Sequence, residues 1–208
     1  MARLGIFSDP HGNAAGMRAM LDHARQNGCT TFICLGDVAE GGEEGDACVR
    51  LLQEARIETI RGNHDEDCRF TPISDSSKSW LGGLPAEIQR GDTLFTHIAP
   101  SSEKPINSGY RAMSVFEEFA DFRLLFVGHL HYPALFGERS EDRIQASLPK
   151  WSYGVPFALN QDDRYIICPG SVGYPRDGMR QLRYAILDEE ANAVTFMRLH
   201  GPLLDFGN

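Results

Sequence analysis

The chain contains no apolar run long enough to cross a membrane as a helix. Its opening, "MARLGIFSDP", lacks the charged and apolar regions of a secretory signal and passes straight into strand pattern. Cysteine is sparse and unpaired in pattern: Cys29, Cys34, Cys48, Cys68 and Cys168 form no C-x-x-C pair, and their number is odd. Both facts argue against a disulfide framework or a thiolate zinc site and for reduced, buried thiols. Positive charge is short as well, with 20 Lys and Arg against 29 Asp and Glu and a net charge of −9. An acidic chain does not wrap long duplex nucleic acid with a basic surface. It can still take a small phosphate ligand through metal ions, whose local charge outweighs the surface field. There is no internal repeat, low-complexity tract or long linker. The expectation is one domain over residues 1–208, cytoplasmic, with no membrane partner. No motif speaks to the oligomeric state.

What is present reads as an ordinary globular chain: 208 residues, 42% hydrophobic and 24% charged, enough for a full core. The first third alternates. "RLGIFS" reads as a strand and "NAAGMRAMLDHARQNG" as a helix. Asn13 is its N-cap, Gly28 its C-cap, and Met17, Met20, Leu21 and Ala24 share one face. "TTFICLG" is a second strand, "GDACVRLLQEA" a second helix and "IETIRG" a third strand, which predicts parallel β-α-β units. Beyond residue 85 strands dominate. "AEIQRGDTLFTHI" reads as a hairpin turning at Gly91-Asp92. "AMSVFEEFA" is a short helix, capped by Ser114 or starting just before it. "FRLLFVGHLH", "RIQAS", "VPFALN" and "RYIICPGS" are strand-like, and a last hairpin turns around Glu189 to Asn192.

The polar residues fall in a telling place. Five apolar strands each end in potential metal ligands: Asp9 and His11, then Asp37, then Asn63, His64 and Asp65, then His97, then His129 and His131. Five of the seven histidines lie in these clusters. Turns favour Gly, Pro, Asn, Asp and Ser rather than His, so turn chemistry alone does not account for the pattern. Asp9/His11 and His129/His131 share the spacing i, i+2, which on extended chain puts both side chains on one face, able to chelate from one sheet edge. Strand carboxyl ends are where α/β sheets place their sites.

The ordered set "DPH", "GD", "GNHD", "TH" and "GHLH" resembles the calcineurin-like metallophosphoesterases over residues 9 to 131. "CPGSVGYPRDG" resembles a segment of their small bacterial and archaeal phosphodiesterase branch. The resemblance implies a four-layer α/β/β/α sandwich, two mixed β-sheets flanked by helices, with two divalent metal ions at the strand ends. By position, Asp9, His11, Asp37 and His131 would hold one metal, and Asp37, Asn63, His97 and His129 the other. Imidazole with carboxylate suits Mn, Fe, Zn, Ni or Co. Such a pair activates a shared water for in-line attack at phosphorus. His64 would be the catalytic group, sitting with Asn63 by the phosphate and protonating the leaving oxygen. The implied activity is a phosphodiesterase acting on a small nucleotide-like phosphate ester.

The chain also departs from some branches. Protein phosphatases and dinucleoside-tetraphosphatases of this superfamily read G-D-x-x-D-R-G, whereas Gly36-Asp37-Val38-Ala39-Glu40-Gly41-Gly42 stands here. Glu40 replaces the Asp that pairs with the catalytic His, and Gly41 replaces the phosphate-gripping Arg. Serine/threonine protein phosphatase and diadenosine tetraphosphatase are therefore the alternatives. A non-catalytic scaffold, as in a retromer subunit of this fold with decayed positions, ranks below them because His64 and every metal position are present. Arg176 is a candidate for the substrate phosphate or a solvated loop arginine. Asp65 either supports the site from behind or caps the turn, and Gly170 and Ser171 are expected to serve close backbone packing beside the site.

Overall fold

The structure, a computed structural model, describes residues 3–68, 71–99 and 104–204. The outermost residues of the expected 1–208 domain, 1–2 and 205–208, lie outside that description. One sheet runs β3 (Glu58–Thr59), β2 (Cys29–Cys34), β1 (Arg3–Phe7), β11 (Leu182–Asp188), β12 (Ala193–Leu199) and β9 (Phe157–Ala158). The other runs β4 (Glu87–Arg90), β5 (Thr93–Thr96), β6 (Leu124–Val127), β10 (Arg164–Pro169), β7 (Pro133–Arg139) and β8 (Asp142–Ser147). Both sheets are mixed: β1 is parallel to β2 and antiparallel to β11, while β6 and β10 are parallel and β10 and β7 antiparallel.

Alternation along the strands builds the layers. Leu4, Ile6, Ala185 and Leu187 from the first sheet meet Phe95, Leu124, Phe126 and Ile167 from the second in one buried cluster between them. The opposite face of the first sheet, with Cys34, Leu182 and Tyr184, packs under α1 (Ala14–Gln26) and α2 (Gly45–Glu54). The opposite face of the second, with Leu125, Val127 and Ile166, packs under α5 (Gly109–Glu118). This is the expected four-layer α/β/β/α sandwich. It sets the carboxyl ends of the parallel pairs β1/β2 and β5/β6 beside each other.

Several expected boundaries move. The helix expected from Ala112 begins at Gly109, because the Ser108 side chain caps it by accepting from Arg111 N. "VPFALN" pairs only at Phe157–Ala158, and the third strand only at Glu58–Thr59. The sequence pattern did not mark β7, which opens on Pro133 and carries Gly137 just past its centre, or the short helices α3 (Asn63–Glu66) and α4 (Asp75–Gly82). Both hairpins turn where expected, at Gly91-Asp92 and after Asp188. Among the described residues no helix is long and apolar enough to cross a membrane, and all five cysteines are free and buried.

Candidate metal centre

The strands that lead to the site end one to four residues before their polar groups, and the chain then turns sharply. Among the described residues, seven non-glycine positions have positive φ, and five of them are Asp9 (54°), His11 (47°), Asp37 (56°), His129 (66°) and His131 (63°). Such positions cost of order 1–3 kcal/mol each and persist only where the surroundings over-determine them. Here the surroundings are neighbouring loops bonded to one another. Asp9 N donates to Gly36 O at 3.0 Å, His11 N to Asp37 O at 2.9 Å and Gly12 N to Val38 O at 2.8 Å. Gly128 N donates to His97 O at 3.1 Å, and Val172 N to Ser8 O at 3.0 Å.

Because these residues are left-handed rather than extended, the i, i+2 argument for one-faced chelation fails for the second pair. Asp9 and His11 reach one cluster together, but His129 and His131 go to different clusters. Asp9, His11, Asp37 and His131 bring ligand atoms within 4.8 Å of one another, and so do Asp37, His97 and His129. Asp37 belongs to both. Its Oδ2 lies 3.1 Å from His97 Nε2 and 3.7 Å from His11 Nε2. Asn63 completes the second cluster, its Oδ1 lying 3.1 Å from His97 Nε2 and 3.0 Å from His129 Nδ1. All seven metal candidates from the sequence are thus gathered at one place.

Two observations test whether the residues suit cations. Asp9 Oδ1, Asp9 Oδ2 and Asp37 Oδ2 are buried and accept no hydrogen bond, although imidazole nitrogens stand close by, His131 Nε2 at 3.3 Å from Asp9 Oδ1. Buried carboxylate oxygens are costly unless paired, bonded or coordinated. The histidine tautomers are also set. Nδ1 of His11, His131 and His97 each meets a backbone carbonyl at 2.6 Å, of Glu40, Tyr174 and Leu35. Donation there leaves Nε2 of the neutral ring with its lone pair facing inward, as in metal-ligating histidines, a state His97 reaches on losing the proton that Asp37 favours. His11 Nε2 and His131 Nε2 face each other at 3.3 Å, a pairing of lone pairs that a cation between them would resolve. A cation with ligands about 2.1 Å away needs donor atoms about 3–4 Å apart, so the residues fit.

The charges agree. Burial alone would raise the carboxyls of Asp9 and Asp37, but the neighbouring imidazoles, His131 for the first and His97 for the second, overcome it and hold both low. Burial disfavours a charged His97, but the Asp37 carboxylate outweighs it and lifts this ring to about 9. Burial depresses His11 and His129, which favours the neutral, ligating form.

Asp65 settles between its two alternatives by doing both. Its Oδ2 accepts from Asp37 N at 2.8 Å and from Gly62 N at 2.9 Å, and its Oδ1 accepts from Val38 N at 2.9 Å. One carboxylate therefore caps its own turn and ties it to the turn carrying Asp37. The two turns touch so closely that a β-carbon on Gly62 would lie 2.1 Å from Asp37 Oδ1. Gly170 and Ser171 pack as expected. Gly170 has φ +86°, and Ser171 Oγ donates to Asp9 O at 2.9 Å.

Beside the clusters lies a cavity of about 300 Å3 lined by His11, Glu40, Gly41, His64, His131, Tyr174 and Arg176. His64 is partly exposed there, its Nδ1 3.1 Å from Glu40 Oε1. Glu40 thus contacts the ring that the replaced Asp contacts in other branches. Arg176 stands at the rim, its guanidinium carbon 5.8 Å from the Tyr174 ring centre. Tyr174 was not singled out in the sequence. An aromatic two residues from the candidate Arg176 was the available signal.

Known proteins resemble the chain along its length. Residues 2–192 match the calcineurin-like phosphoesterase superfamily domain. An uncharacterized protein of Methanocaldococcus jannaschii is 26% identical over 220 residues, covering 94% of this chain and 86% of that one. The crystal structure of a metallophosphoesterase from Sphaerobacter thermophilus superposes with TM-score 0.83 and 29% identity, over 96% of this chain and 89% of that one. A structure described as that of a novel archaeal phosphodiesterase shares the fold, with TM-score 0.53 and 16% identity over 95% and 99% of the two chains.

Proposed function

The chain belongs to the calcineurin-like phosphoesterase superfamily, and from that premise we propose that it is a dinuclear-metal phosphodiesterase of the cytoplasm acting on a small nucleotide-like phosphate ester. The observation that carries this reading is the pair of buried carboxylates, Asp9 and Asp37, with oxygens that accept no hydrogen bond, facing His11 and His131, whose Nδ1 bonds to backbone carbonyls turn their Nε2 lone pairs inward. Asp9, His11, Asp37 and His131 would hold one divalent ion, and Asp37, Asn63, His97 and His129 the other, with Asp37 shared. When bound, Mn, Fe, Zn, Ni or Co would supply Lewis acidity to water and to the phosphoryl oxygens.

The protein's own groups do the rest. Asp65 keeps Asp37 and Asn63 in register through three backbone bonds. Glu40 Oε1, 3.1 Å from His64 Nδ1, would accept its N–H and leave the ring's other nitrogen to pass a proton to the leaving oxygen. Arg176 meets the substrate phosphate from the rim, a role left open by Gly41. The free, buried thiols accord with a reducing compartment.

The test is a substrate panel on purified protein reconstituted with each of the five metals, with elemental analysis of the same sample. Hydrolysis of bis(4-nitrophenyl) phosphate should exceed that of 4-nitrophenyl phosphate, a phosphopeptide and diadenosine tetraphosphate. His64→Ala should lower it about 10²–10⁴-fold with metal content unchanged. Preference for the phosphopeptide or the tetraphosphate would move the protein to another branch, and no turnover with any metal would return it to the scaffold reading.

A further inference from the structure

Six large hydrophobic side chains are prominently exposed among the described residues, and Tyr174 is the one that lines the cavity beside the metal candidates. The loop that carries it is fastened at several points. Tyr174 N donates to Ser171 Oγ at 2.7 Å, Tyr174 O receives His131 Nδ1 at 2.6 Å, and Arg176 N donates to His131 O at 3.2 Å. Farther along, Asp177 Oδ2 accepts from the fully buried Arg183 at 2.8 Å. Behind it, a β-carbon on Gly173 would meet Pro10 O at 2.2 Å, so the loop lies flush on the turn bearing Asp9 and His11. The ring stands edge-on to His131, with centroids 5.9 Å apart and planes at 85°, and Arg176 stands over it.

A phenol on a fixed loop, 37% exposed and lining this cavity, loses little freedom when something stacks on it. Two planar groups, phenol and guanidinium, meet there, 5.8 Å from guanidinium carbon to ring centre. Glu40 and Gly41 line the same cavity, the latter without a side chain to fill the space. We infer that Tyr174 is a specificity-determining residue that stacks a planar, base-like group of the substrate while Arg176 takes its phosphate. The preferred esters are therefore nucleotide-type rather than aliphatic. This rests on the phosphodiesterase reading above and assigns its substrate recognition to a named ring. Stacking is sequence-tolerant because every base has a π-face, so no single base is demanded.

The experiment compares two phosphates that differ by the planar ring, adenosine 5′-monophosphate and ribose 5-phosphate. Both are titrated calorimetrically into the metal-loaded full chain and assayed as inhibitors of diester hydrolysis. Wild type should bind the nucleotide about tenfold more tightly, within the range of one stacked base. Tyr174→Leu should reduce that ratio to about twofold or less, and Tyr174→Phe should keep it. The tie to His131 runs through the Tyr174 backbone carbonyl, so both variants retain it, and metal content checks this. Equal binding of the two phosphates by wild type, or an unchanged ratio in Tyr174→Leu, would overturn the inference alone. Absence of both binding and turnover in wild type would overturn the phosphoesterase reading, and the inference with it.

Discussion

Replacing Asp65 with alanine probes the joint between the second and third site turns. The substitution strips the acceptor from three backbone N–H groups, those of Asp37, Val38 and Gly62. Each buried donor left unsatisfied costs about 1–3 kcal/mol, so a loss of roughly 3–9 kcal/mol is expected where the wild-type carboxyl is protonated. The effect then depends on pH with a definite sign. Burial and, after it, the Asp37 charge push Asp65 from the usual 3.8 up to about 6. A carboxyl raised in the fold contributes stability that is present below about pH 4 and is lost as pH rises through 6. A shift of about two units corresponds to roughly 3 kcal/mol. In metal-free protein the free-energy gap between wild type and Asp65→Ala should therefore narrow by about that much from pH 4 to pH 7. Divalent ions at Asp37 would offset the charge that opposes Asp65, so metal should widen the gap again at pH 7. Urea unfolding of both proteins across this range, with and without metal, measures each quantity. A gap below about 1 kcal/mol near pH 4, or one that widens with pH without metal, would refute the role given to this carboxylate.

Three further outcomes follow from the same contacts. Because Asp37 lifts His97 to about 9 against its burial, the stability contributed by protonated His97 should be present below about pH 6.5 and lost as pH rises through 9. Metal loading near neutral pH should release that proton, and isothermal titration in buffers of differing ionisation enthalpy that showed no proton release would contradict this. Gly62→Ala should weaken metal binding about 10–100-fold by displacing Asp37, as read by competition with a chelating dye, and an unchanged affinity would mean the turns can part freely. Far from the site, Arg164 bonds Glu138 at 2.6 Å and the Phe119 carbonyl at 2.6 Å, holding the end of α5 to the second sheet. Arg164→Ala strands the buried Glu138 and should cost about 3–5 kcal/mol, whereas the double variant Arg164→Ala, Glu138→Ala should recover part of it; a melting temperature equal to wild type would remove the ion pair from the account.

Much of this arrangement was readable from residue order because the informative groups sit where strands stop. Apolar alternation located β1, β2, β5, β6 and β10, and the polar residues after four of them are those the structure gathers. What could not be read depends on neighbours distant in sequence. The family resemblance assigns His129 and His131 to different metals, but the physical reason for their parting, left-handed turns held by other loops, is not contained in the i, i+2 spacing. The hold of Asp65 on Asp37 spans 28 residues. The contact of Glu40 with His64 and the place of Tyr174 beside His131 likewise appear only when the loops converge. The strand β7 escaped notice because Pro133 and Gly137 break its alternation, while its partner β10 supplies the pairing that propensity does not.

The left-handed residues join these strands of reasoning. Five of the metal candidates occupy a backbone region that side chains avoid, and they are held there by bonds between adjacent loops rather than by any feature of their own sequence. The same turns bury carboxylate oxygens that accept no hydrogen bond. Strained backbone and buried carboxylate oxygens without hydrogen bonds are two separate costs incurred at one spot, only the second of them partly offset in the metal-free fold, by the neighbouring imidazoles. A ligand that binds the native state alone would offset both, by about 4 kcal/mol at a thousandfold excess over its dissociation constant. The fold thus keeps its least favourable backbone at the positions where a divalent ion would return the most.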